Sequence, residues 1–154
     1  LTSWPDLRIN IDCKTDAAMQ PLIDTIRRTK CIDRICVGSF SDKRLRHIRS
    51  ELGSDLCTSM GPQEVVRLVL SSNTPLPISP SRHALMAQVP VRQGPIPVVT
   101  RRTIARAHQL GLQVHVWTID DPLEIGRLLD LGVDGIMSDD TRALKDVFTA
   151  RNLW

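Results

Sequence analysis

At 154 residues, with 42% hydrophobic and 24% charged residues, the chain has the length of one domain or less and the composition of an ordinary soluble globular protein. The net charge of +3 is mild, and Arg27-Arg28 with Lys30 and Arg101-Arg102 read as solvated helix faces, so no nucleic-acid partner is expected. No apolar run approaches the roughly 20 residues of a membrane span and no signal peptide opens the chain, which makes cytoplasm the default location; any membrane association is left to regions outside it.

Taken in chain order, Leu7–Cys13 alternates as a strand, and Pro21–Arg28 has helical spacing through Leu22, Ile23 and Ile26. Arg34–Phe40 is a second strand, followed by Ser41 as a cap and a helix over Asp42–Leu52 that stops at Gly53. Asp55–Met60 reads as a third strand, and Pro62 opens a helix through Val65, Val66, Leu68 and Val69. Ser71–Pro80 and Pro90–Pro97 hold most of the prolines and read as long loops around a fourth strand, Ala84–Val89. A helix over Arg101–Leu110 is capped by Thr100 and closed by Gly111. Then comes the clearest stretch of the chain. Val114–Thr118 alternates as a strand, Asp121-Pro122 with Glu124 forms a capping-box pattern, an apolar stripe runs to Leu131, Gly132 stops the helix, and Gly135–Met137 returns as a strand. A strand, a helix and a second strand form a βαβ unit and require parallel pairing. The amphipathic helix Arg142–Phe148 closes the chain.

Cys13, Cys31, Cys36 and Cys57 form no CxxC pair and sit mostly in apolar runs. They read as buried free thiols in a reducing compartment, and no zinc site is expected.

Six βα units of about 20 to 30 residues fit either an open doubly wound sheet or part of a TIM (β/α)8-type barrel. No glycine-rich phosphate loop follows any strand. Asn10, Asp12 and Lys14 share one face of the first strand while Ile9, Ile11 and Cys13 share the other. Strands of an open parallel sheet are apolar on both faces, whereas barrel strands can aim polar groups inward near their C-terminal mouth. His115 and Trp117 opposite Val114 and Val116 repeat the pattern. The reading is an α/β barrel, present as six units that lack the first two strands. A whole barrel takes about 250 residues. The chain begins at Leu1 and ends after an amphipathic helix, so the missing part is expected upstream.

Asn10-Ile11-Asp12-Cys13-Lys14, Gly38-Ser39-Phe40, Val116-Trp117-Thr118-Ile119-Asp120 and Gly132-Val133-Asp134-Gly135-Ile136-Met137-Ser138-Asp139 resemble, in this order, the motifs of the glycerophosphodiester phosphodiesterases. That family reads roughly NIE-x-K, SSF, WTVN or WTVD, and GVDGIITD. The last two motifs together are specific; the first alone is weak. The resemblance runs from about Ile9 to Phe148, over nearly the whole of residues 1–154. The family's opening motifs, an HRG strand and a Glu-x-Asp with a nearby His-Asp, are absent, which matches the two missing strands.

The resemblance implies metal-dependent hydrolysis of a glycerophosphodiester, a small-molecule substrate of phospholipid metabolism, to glycerol 3-phosphate and an alcohol. It implies a divalent cation, Mg²⁺ or Ca²⁺, held by carboxylates, with acid and base histidines on the missing strands. Charge at an anionic phosphodiester must be offset as the transition state forms, and carboxylate oxygens suit a hard ion. Carried over by position, Asp12 is a metal ligand where the family has Glu, one methylene shorter. Lys14 contacts the phosphate as a point charge. Trp117 and Phe40 wall the substrate, with Ser39 beside Phe40. Without the resemblance, Asp12 reads as a structural carboxylate paired with Lys14, and Trp117 as core. No acid–base catalytic residue is expected within the chain, so residues 1–154 alone are expected to be inactive and to associate through open sheet edges.

Other groups carry weaker signals. His47 and His108 read as solvated helix residues, His83 as a mouth residue by location alone, and His115 as a hydrogen-bonded core histidine. Asp139 reads as a helix cap. Ser39 lacks the partners of a nucleophile. Rival readings are a non-catalytic module binding phosphate or a lipid headgroup, and another barrel phosphodiesterase of phospholipase D type.

Overall fold

The structure, a computed structural model, describes residues 1–74 and 84–154. His83 and the part of the expected loop beyond Thr74 lie outside the described residues. The chain forms two compact units: residues 1–67 with 84–86, and residues 68–74 with 87–154.

In the first unit, β1 (Ile9–Asp12), β2 (Ile35–Gly38), β3 (Cys57–Ser59) and the start of β4 (Ala84–Val89) pair in that order, all parallel. Parallel neighbours require crossovers, which α1 (Met19–Thr29), α2 (Asp42–Leu52) and α3 (Pro62–Ser71) provide. Strand β1 is shorter than the alternation suggested. The ladder with β2 runs from Ile9 to Asp12, against Ile35 to Gly38. The carbonyls of Leu1, Trp4 and Leu7 accept instead from the Arg34 guanidinium, which itself lies in a 3-10 turn rather than in β2. Helix α1 begins before Pro21, because a proline in the first turn sacrifices no helical hydrogen bond. Its Ile23 and Ile26 pack with Cys13, Cys31, Ile35, Val37, Ile48 and Leu56 into one core, and each large aliphatic side chain contributes about 1.5–3 kcal/mol.

Arg49 of α2 fastens this unit. It donates to Thr58 Oγ1, to the Ser59 carbonyl and to both carboxylate oxygens of Glu64. Glu64 also accepts from the Gly61 amide at 2.7 Å, the return arm of a capping box. A Cβ at Gly61 would meet the Asp42 carboxylate, which would have to shift to admit it.

In the second unit, the end of β4 pairs with β7 (Gln113–Val116) and β7 with β8 (Gly135–Ile136), again parallel. Between them run α4 (Arg101–Gln109), capped by Thr100 as expected, and α5 (Pro122–Leu131); α6 (Thr141–Ala150) follows. The segment Pro90–Pro97 is not a plain loop. Strands β5 (Arg92–Gln93) and β6 (Ile96–Pro97) form a small hairpin turning at Gly94, whose φ is 57°. Val89, Ile104, Ala107, Val114, Val116, Ile125 and Leu128 are buried.

Two capping expectations are corrected. Asp121 accepts from the Leu123 and Glu124 amides as expected, but Glu124 turns to Arg127 at 2.6 Å instead of closing the box. A guanidinium one turn away offers two charge-assisted bonds where the amide offers one. The cap of α6 is Asp140, not Asp139. The α/β class and the parallel βα units expected of a TIM-type barrel are met.

Candidate active site

Asp12 closes β1 and Lys14 lies just beyond it, both exposed, while Cys13 between them is buried. Period-two alternation produces this arrangement, and the Cys13 amide holds the register by donating to the Gly38 carbonyl at 2.8 Å. Asp12 and Lys14 make no ion pair with each other, so the structural pairing of the two is not present. The neighbouring acid behaves differently. Asp16 is engaged by Arg44 and Lys43, and the Arg44 hydrogen bond holds its carboxyl below the usual range.

At the end of β2, Ser39 is buried and its hydroxyl is committed twice, donating to the Cys13 carbonyl at 2.6 Å and accepting from Arg44 Nε at 2.9 Å. It is a tie between β1 and the loop after β2, not a nucleophile. Phe40 beside it is 67% exposed, an open position for an aromatic ring.

In the second unit, Trp117 follows β7, half-buried, its amide donating to the Val89 carbonyl and its peptide bond to Thr118 cis. Asp120 and Asp134 of the same unit are committed to holding loops. Asp120 accepts from Ser138 Oγ, from the Asp139 amide and from the Asp140 amide, which pulls its pKa down. Asp134 accepts from the Val114 amide at 2.7 Å and pairs with His108 at 2.8 Å. His108 is therefore not merely solvated, as its helix position suggested, because α4 ends beside the turn that carries Asp134. His47 stays exposed, as expected. His115 is half-buried, and its ring lies so close to Gly135 that a Cβ there would sit 2.8 Å from it. Burial lowers the His115 pKa, partly offset by Asp134. Gly132, with φ 101°, ends α5.

Gly132, Asp134 and Gly135 thus each have a local structural cause. The residues matching a family model, described as the glycerophosphoryl diester phosphodiesterase family, are 3–143. The chain belongs to that family. It is 35% identical over 161 aligned residues to a Mycobacterium tuberculosis protein named "Probable glycerophosphodiester phosphodiesterase 2", covering 100% of this chain and 60% of that protein. Among solved structures it is similar to a glycerophosphodiester phosphodiesterase from Parabacteroides distasonis, with TM-score 0.69 and 17% identity over 97% of this chain and 61% of that one. A glycerophosphoryl diester phosphodiesterase domain from Mycobacterium tuberculosis gives TM-score 0.70 and 12% identity over 95% and 59%. These last two establish a shared fold. The chain spans about 60% of the length of these three relatives.

For a family member of this extent, the oxygen chemistry of Asp12 fits a hard divalent cation in kind but not in number. Such ions take six or more oxygens. Among the described residues, no group of three or more His, Cys, Asp or Glu is placed to hold a metal ion. No helix among the described residues is long and apolar enough to cross a membrane.

Proposed function

We propose that the intact protein hydrolyses glycerophosphodiesters, releasing glycerol 3-phosphate and an alcohol, and that this chain contributes one wall of the active site. The observation carrying this reading is the pair Asp12 and Lys14, exposed at the C-terminal end of β1 and not neutralising each other. Functional groups of parallel α/β folds gather at that end of the strands. Lys14 places an ammonium where the phosphodiester's anionic oxygens are received, and its three donors adapt to the changing geometry at phosphorus. Asp12 supplies one carboxylate oxygen to a divalent cation, Mg²⁺ or Ca²⁺, with the other ligands and the acid and base histidines coming from parts of the intact protein outside these 154 residues. When bound, such a cation offsets the charge that makes a phosphodiester resist attack. Phe40, exposed beside Ser39 at the end of β2, presents apolar surface to the glycerol or leaving group. On this reading residues 1–154 alone are inactive.

The test is release of glycerol 3-phosphate from glycerophosphocholine by the intact protein with Mg²⁺ or Ca²⁺, and its loss on chelation with EDTA. No release with either ion, together with calorimetric binding of glycerol 3-phosphate, would leave the headgroup-binding reading in its place.

A further inference from the structure

The parallel register of the first unit sets Cys36 of β2 opposite Cys57 of β3, two positions that lie 21 residues apart in the chain and share no sequence motif. Partners in adjacent parallel strands are about 4.8 Å apart and point to the same face. Met86 of β4 completes the group, its thioether sulfur 3.6 Å from Cys36 Sγ. We infer that Cys36, Cys57 and Met86 form a three-sulfur site for a soft monovalent metal ion of the Cu(I) class.

Thiolate and thioether sulfurs select soft ions over the hard divalent cations that carboxylates take. A metal–sulfur bond of about 2.3 Å in trigonal geometry needs sulfurs about 4 Å apart. The observed 3.6 Å requires an opening of a few tenths of an ångström, and Met86 has three rotatable bonds with which to make it. Within residues 1–154 Cys57 and Met86 are partly buried and Cys36 is 9% exposed. Binding one Cu(I) releases both thiol protons and leaves a bis-thiolate of net charge −1 with the neutral thioether as third ligand. The group is separate from Asp12. Asn10 is the β1 partner of Cys36, and Asp12 lies two residues further, about 7 Å along the strand.

The experiment is anaerobic titration of the reduced intact protein with Cu(I) against a colorimetric Cu(I) chelator. The expected result is one tightly held ion per chain. Cys36→Ser or Cys57→Ser is expected to cost more than the roughly 100-fold that loss of a supporting group costs, and Met86→Leu at least about tenfold. Replacing Cys13 and Cys31 together by Ala should leave the affinity unchanged. A second readout needs no substitution: bound Cu(I) should protect Cys36 and Cys57 from iodoacetamide, as read by peptide mass. Unprotected alkylation of Cys57 with Cu(I) present, or affinity unchanged by Cys57→Ser, would overturn the site.

Discussion

The end of β1 and the turn around β8 are built in opposite ways. At β1, Asp12 and Lys14 stand exposed with no ion pair between them. At β8, Asp134 is committed to Val114 and His108, Asp120 to three donors, and Gly135 to making room for His115. In the stretch whose sequence is most recognisable, Asp120, Asp134 and Gly135 thus hold the backbone in place, and the stretch whose sequence is least specific presents Asp12 and Lys14 without an ion pair between them. Recognisability tracks how many local constraints act on a backbone. Under the proposed function, it does not track where chemistry is done.

The largest effect is expected at Asp12. Asp12→Ala should lower glycerophosphodiester hydrolysis by the intact protein on the order of 100-fold or more, with the thermal midpoint unchanged. Asp12→Glu, restoring the residue usual in the family, should preserve activity. Full activity in Asp12→Ala would remove the contrast with β8 altogether.

Next comes Arg49→Ala. Arg49 and Glu64 side chains are 10% and 18% exposed, so removing Arg49 takes the cation from a largely buried carboxylate, leaving it the Gly61 amide, and breaks the Thr58 and Ser59 bonds as well. A loss of about 3–5 kcal/mol by denaturant unfolding is expected. A loss under 1 kcal/mol would show that solvent replaces the network.

The smallest effect is a pH dependence at His115. Its folded pKa lies below the ordinary 6.5, so folding favours the neutral ring. That contribution is fully present above pH 6.5 and is lost as pH falls below it, because the unfolded chain binds the proton more readily. The thermal midpoint should therefore decline between pH 7 and 5, and His115→Gln should flatten the slope. A midpoint that rises on acidification would reverse the assignment.

How much of this was legible beforehand follows the same division. Strand β4 and helix α2 match their sequence bounds, the helix because Ser41 and Gly53 act locally at its two ends. Strand β1 was overcalled because Arg34, 27 residues from Leu7, takes carbonyls that alternation alone would give to a sheet. The hairpin at Arg92–Pro97 was hidden by its prolines, and Glu124 was misassigned because Arg127 outcompetes a backbone amide. At the site, Asp12 and Lys14 were visible as a polar face. The Asp134–His108 pair and the Cys36–Cys57–Met86 group were not, since each depends on strand or helix neighbours that sequence spacing does not reveal.

The most direct test of the scaffold claim is the turnover of Asp134→Ala in the intact protein, expressed per folded molecule. Losing the acceptor of the Val114 amide should cost about 1–3 kcal/mol of stability. The prediction is a lowered thermal midpoint with glycerol 3-phosphate released at the unsubstituted rate. Lost turnover at an unchanged midpoint would mean that the β8 turn carries chemistry and that the division drawn between the two regions is wrong.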